Sequence, residues 1–124
     1  FIMYVINWNQ VPETENLPNN FRTALAGKEM GINRIRWEHT TSLPQHVHDD
    51  AEQCVIVTEG AISFTIGGET STLGVGDVAV VPRGVLHSGE SIAGEAVFIE
   101  VFTPLRIENL LGFLGESFIA PERT

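Results

Sequence analysis

The stretch Cys54-Val55-Ile56-Val57-Thr58-Glu59-Gly60-Ala61-Ile62-Ser63-Phe64-Thr65-Ile66-Gly67-Gly68 decides the fold. Its opening residues are a compact apolar run rich in β-branched side chains, and after Gly60 the apolar Ile62, Phe64 and Ile66 alternate with Ser63 and Thr65. A period of two sends one set of side chains to a buried face and the other to solvent, which is the pattern of a strand and not of a helix. Gly67-Gly68 then reads as a two-residue hairpin turn, because paired glycines accept the positive φ angles that such turns require.

The same grammar extends in both directions. Val78 to Val81 and Ala96 to Phe102 are further β-rich runs, and Phe21 to Ala26 and Ile32 to His39 form an upstream pair joined through Gly27-Lys28-Glu29-Met30. Turn residues recur from Gly27 to Gly94, among them Gly60, Gly76 and Pro82-Arg83-Gly84. Short strands punctuated this often predict an all-β sandwich or barrel. Residues 7–20 are polar and contain Pro12 and Pro18, so they read as an irregular stretch, with an N-terminal arm over 1–20 and a single domain over 21–124. Leu105, Leu110, Leu111 and Leu114 fall at near-helical spacing, so a short C-terminal helix over Leu105 to Phe118 is expected, weakened by Gly112 and Gly115.

Composition bounds the function. A chain of 124 residues is long enough for one core and too short for two ordinary ones. Seven basic against sixteen acidic residues leave a formal charge of −9, which repels nucleic acid and argues against such a partner. No apolar run approaches the roughly 20 residues of a membrane helix. The start Phe1-Ile2-Met3-Tyr4 lacks the basic region of a secretion signal, and the single cysteine, Cys54, fits a reducing compartment, so a cytoplasmic protein without a membrane partner is expected.

Two glycine-framed segments carry chemistry. The first is His46-x-His48, then Gln53 and Gly60; the second is Gly76, Pro82-x-Gly84 and His87. Positions two apart on a strand share a face, so His46 and His48 can point together, while the turn around Pro82 and Gly84 delivers His87 from a later strand. Three neutral imidazoles and one amide oxygen can hold one divalent transition metal, such as zinc, nickel, manganese or iron, and leave room for a small-molecule substrate. Downstream, Ala96, Phe98, Glu100 and Phe102 share one strand face. The opposite face, Val97, Ile99 and Val101, is wholly apolar, so Glu100 is expected to aim into the metal-bearing mouth. A carboxylate placed there suits proton transfer, and Arg106, just past Pro104, can fork onto a substrate carboxylate.

The two segments resemble the paired motifs of the cupin superfamily, over residues 40 to 108. The resemblance implies a double-stranded β-helix, the cupin jelly-roll barrel, holding one metal through His46, His48, His87 and a residue at the place of the family's carboxylate. With Gly60 fixing the register that residue is Gln53, and Glu52 is the alternative on the opposite face of the strand. A neutral amide leaves the metal more positive than a carboxylate would, favouring Lewis-acid work over dioxygen chemistry. Phe102-Thr103-Pro104-Leu105-Arg106, taken with a glutamine ligand, is similar to the small KdgF-type cupins of pectin and alginate breakdown, which open 4,5-unsaturated monouronates to linear keto forms. That resemblance implies Glu100 as acid/base, where the family usually has aspartate, Phe102 as pocket wall and Arg106 as the carboxylate anchor. It also implies a homodimer, built on sheet faces or on exchange of the arm that carries Tyr4, Val5 and Trp8. The leading expectation is thus a metal-dependent isomerase or ring-opening enzyme for a small carboxylate-bearing, sugar-derived substrate. A metal-dependent dioxygenase or polyketide-type cyclase, and a non-catalytic module that binds a small ligand, are the other two readings.

Overall fold

The computed structural model describes residues 5–106 together with the backbone of Phe118 and Ile119. After a 3-10 turn at Trp8–Gln10 the strands are β1 (Thr14–Leu17), β2 (Asn20–Ala26), β3 (Gly31–Trp37), β4 (Ser42–His46), β5 (Glu52–Glu59), β6 (Ala61–Ile66), β7 (Glu69–Gly74), β8 (Val78–Val81), β9 (His87–Ser91), β10 (Ala96–Thr103) and β11 (Phe118–Ile119). They form two sheets, one in the order β1-β2-β3-β10-β5-β8 with β11 parallel to β2, the other in the order β4-β9-β6-β7. This is the all-β architecture anticipated from the alternation, and the jelly roll that the cupin resemblance implies. Among the described residues no helix is long and apolar enough to cross a membrane.

The two sheets close on an aromatic and β-branched core. Trp37 and Phe98 are fully buried and meet edge to face, with ring centroids 5.0 Å apart at 86°. Val55, Val57, Ile62, Phe64 and Val81 pack around them. Where β9 crosses this core, a Cβ at Gly89 would stand 3.1 Å from Trp37 and 3.2 Å from Phe64, so only a glycine lets the strand lie against the rings. The turn from β5 to β6 is just as restrictive. Gly60 has φ +70°, and a Cβ there would come within 2.4 Å of the Glu95 carbonyl oxygen, which is backbone and cannot swing away. Gly60→Ala therefore combines a left-handed backbone with a collision, and should cost at least about 2 kcal/mol of stability, read as a lower urea midpoint with an unchanged m-value.

Register explains how the site is assembled. β10 lies between β3 and β5, with Glu100 opposite Asn33 on one side and Val55 on the other, and Phe102 opposite Gln53. The buried face of β10 is the one carrying Ala96, Phe98, Glu100 and Phe102, as expected, and Ile99 and Val101 on the other face are only partly covered. That outer face continues through Arg36, which pairs with Glu13, Glu38 and Glu95 and covers the Phe21 ring at 4.4 Å. Cys54 also lies there, half-buried and outside the core.

Four strands depart from the sequence reading. β4 and β7 are edges of the smaller sheet, where Pro44 is tolerated and most side chains face solvent, so neither shows alternation. β9 is interior, but His87-Ser88-Gly89-Glu90-Ser91 has little β-forming character of its own and is ordered by β4 and β6 on either side. β1 falls in the stretch expected to be irregular and pairs with β2 through a register slip between Glu15 and Leu17. Of the expected terminal helix, residues 107–117 lie outside the described residues; Leu105 and Arg106 are irregular, and Phe118–Ile119 is strand.

Candidate metal centre

His46 closes β4 and His87 opens β9, and the two residues are direct register partners. The strand ends at His46, so His48 is delivered by the loop that follows and not by strand periodicity. That loop is held by the Gly84 amide, which donates to the His48 carbonyl at 2.9 Å and ties the two glycine-framed segments together. The three rings converge, with centroids 4.1 Å apart for His46 and His87 and 4.8 Å for each of the other pairs. One ligand nitrogen from each lies within 4.8 Å of the others. The Nδ1 atoms of His46 and His87 face the Pro44 and Val85 carbonyl oxygens at 2.7 and 3.0 Å, which makes Nδ1 the protonated nitrogen and leaves Nε2 as the electron-pair donor on both rings.

Gln53 is 3% exposed on β5, and its Oε1 is buried without a hydrogen-bond donor among the described residues; the same holds for His87 Nε2 as an acceptor. Leaving two such acceptors dry costs about 1–3 kcal/mol each unless something fills them. A divalent cation would do so, and three imidazoles with one amide oxygen suit it. Glu52 is exposed on the other face of β5, so of the two candidates Gln53 is the one turned inward.

Burial prepares the imidazoles for that role. In the metal-free protein His48 is held down to about 4 by burial first, and then by the charges of Arg106, His46 and His87, with Asp50 opposing. Burial likewise lowers His87, against the pull of its Val85 hydrogen bond. An unfolded chain protonates His48 at the ordinary 6.5, while the folded chain resists until about 4. The contribution is therefore complete above pH 6.5 and is lost as pH falls from 6.5 toward about 4. Thermal unfolding of chelator-treated protein across that window should show the midpoint falling, and a midpoint constant over it would contradict the burial of these rings.

Glu100 is 8% exposed and takes a 3.4 Å hydrogen bond from Asn33 Nδ2. Burial pushes its carboxyl above the ordinary 4.5, with Arg22, the Asn33 hydrogen bond and Arg106 pulling the other way. Arg106 is also 8% exposed, and its Nε donates to Asp50 at 3.1 Å while its guanidinium stands 5.3 Å from the Phe102 ring centroid. Asp50, two residues past His48, thus orients Arg106. His46, His48, Gln53, Glu100, Phe102 and Arg106 all line one cavity of about 80 Å³. Arg22, Asn16 and Asn20 share the cavity and were missed in the sequence reading. Only Arg22 carried a signal there, as a charged residue in the inward phase of a strand that also holds Ala24 and Ala26.

Residues 34–109 match the cupin domain family. Over 77 residues the chain is 38% identical to quercetin 2,3-dioxygenase of Bacillus subtilis, covering 62% of this chain but only 23% of that enzyme's length. KdgF from Halomonas sp. superposes with a TM-score of 0.81 at 22% identity, over 87% of this chain and 98% of that one. A predicted oxalate decarboxylase from Thermotoga maritima does so with a TM-score of 0.72 at 18% identity, over 82% of this chain and all of the other (100%). At such identities these structures establish the shared barrel, and the chemistry must be argued from the site.

Proposed function

The chain belongs to the cupin domain family, and from that premise we propose that it is a metal-dependent enzyme that opens or isomerises a small carboxylate-bearing, sugar-derived substrate of the unsaturated-uronate kind. The observation that carries this reading is the placing of a buried carboxylate, Glu100, and an oriented guanidinium, Arg106, in the cavity that also takes His46, His48 and Gln53. His46, His48, Gln53 and His87 would hold the metal, which supplies a Lewis acid for a substrate hydroxyl or carbonyl oxygen. Arg106, turned by Asp50, receives the substrate carboxylate, and Phe102 walls the ring. Glu100 takes the proton of the hemiacetal hydroxyl as the carbonyl forms and the ring carbon–oxygen bond breaks. It then returns that proton to carbon as the resulting enolate becomes a ketone. The barrel shared with Halomonas KdgF supports the reading, as does the neutral amide in the ligand set.

A dioxygenase is the second reading, supported by the 38% identity to the Bacillus subtilis enzyme. Elemental analysis of the purified protein followed by a screen of unsaturated uronates separates the two. Loss of the conjugated double-bond absorbance without oxygen uptake is the expected result. Bound iron with oxygen consumption would overturn it in favour of the dioxygenase, and tight ligand binding indifferent to metal removal would favour a binding module.

A further inference from the structure

Asn33, the buried amide beside Glu100, is 2% exposed on the inward face of β3, where it is the register partner of Glu100 on β10 and of Ala24 on β2. Along its own strand the neighbours on that face are Gly31 and Ile35, so of the four buried residues around it only Glu100 has a polar side chain. A buried amide needs a partner, and this one has a single choice. Its Nδ2 donates to Glu100 Oε2 at 3.4 Å, the one side-chain hydrogen bond that either residue makes among the described residues.

That bond makes the two carboxyl oxygens unequal. Glu100 lines the cavity and Asn33 does not, so the amide stands behind the carboxyl and holds one of its oxygens from there. With Oε2 accepting a donor, Oε1 is the oxygen left to exchange a proton. A glutamate turns about several side-chain torsions, and a carboxyl fixed at one oxygen loses the freedom to swing the other out of the cavity. Placement on this scale matters, because an error of about an ångström at the reacting atom can cost about 100-fold in rate.

We propose that Asn33 is the positioning residue of Glu100: it holds Oε2 and so keeps Oε1 turned to the occupant of the cavity as the oxygen that takes and returns the proton. The inference rests on the acid/base role of Glu100 proposed above and adds the residue that aims it. Turnover of a 4,5-unsaturated monouronate, followed as loss of the conjugated double-bond absorbance, is compared for wild type, Asn33→Leu, Glu100→Gln and the double variant. Asn33→Leu should lower kcat about tenfold to 100-fold while KM and metal content stay near wild type. In the Glu100→Gln background it should cost nothing further, since no proton-bearing oxygen is left to position. An undiminished kcat in Asn33→Leu, or an equal loss in both backgrounds, would overturn the inference while a fall in Glu100→Gln still upheld the function. Urea unfolding tests the contact without any substrate. Asn33→Leu should lower the midpoint in the wild type, where it strips a buried carboxyl of its donor, and leave it unchanged or raise it in Glu100→Leu, where both partners are then apolar. The same downward shift in both backgrounds would also overturn the inference. A coupled midpoint in a wild type inert toward the uronate upholds the positioning and counts against the proposed function. Where thermal unfolding shows that Asn33→Leu does not fold, Asn33→Ala carries both tests.

Discussion

Glu100→Gln should lower turnover of the identified substrate by about 10²–10⁴-fold, the usual contribution of a positioned acid/base. The substitution is close to isosteric and leaves the amide oxygen able to accept the 3.4 Å hydrogen bond from Asn33 Nδ2. What it removes is the group that can hold a proton and release it. Because the side chain is 8% exposed among Asn33, Arg22 and Arg106, no bulk water stands ready to substitute for it. The folded protein should tolerate the change, since burial already disfavours the charged form of this carboxyl. Metal content and unfolding midpoint are therefore the controls, both expected to stay near wild type while kcat falls. Glu100→Asp retains the function in a carboxylate shortened by one methylene, and should lie between the two because a shift of about an ångström is felt at the reacting atom. Full turnover by Glu100→Gln would show that the proton travels elsewhere.

His87→Ala should weaken metal binding by at least about 100-fold and abolish turnover with it, a loss larger than that usual for removing a ligand's outer partner. His87 is 1% exposed at the head of β9, directly opposite His46, with Nδ1 committed to Val85 and Nε2 buried without a hydrogen-bond donor among the described residues. No other imidazole can take its place, for the remaining histidine, His39, is exposed in the turn after β3. Elemental analysis should give one metal per wild-type chain and a small fraction of that in the variant. Thermal unfolding supplies an independent readout, because a ligand that binds only the folded state raises the midpoint. Added metal should raise it for wild type and not for His87→Ala. A variant that retained full occupancy would remove His87 from the ligand set.

How legible each part was depended on whether its cause is local. β5, β6 and β10 could be read because their apolar residues alternate or run together in sequence and burial follows that pattern, and β8 could be read as an apolar run although Val78 and Val80 are exposed. β1, β4 and β9 could not, since Thr14–Leu17, Ser42–His46 and His87–Ser91 take their conformation from the strands beside them. The histidines were visible as a spacing between glycines, although His48 reaches the cluster from a loop pinned by the Gly84 amide and not from the strand geometry expected of it. The carboxylate that orients Arg106 comes from Asp50, 56 residues away, a pairing no local pattern announces.

By itself, the sequence determined the all-β class, the three imidazoles and the inward face that carries Glu100, because hydrophobic periodicity and turn chemistry act over a few neighbouring residues. Only the tertiary structure turned Gln53 inward and left Glu52 exposed, gave Arg106 its orienting carboxylate and brought Arg22 and Asn16 to the same cavity. Those outcomes depend on register and burial between strands far apart in the chain, and neither is written in any short stretch of it.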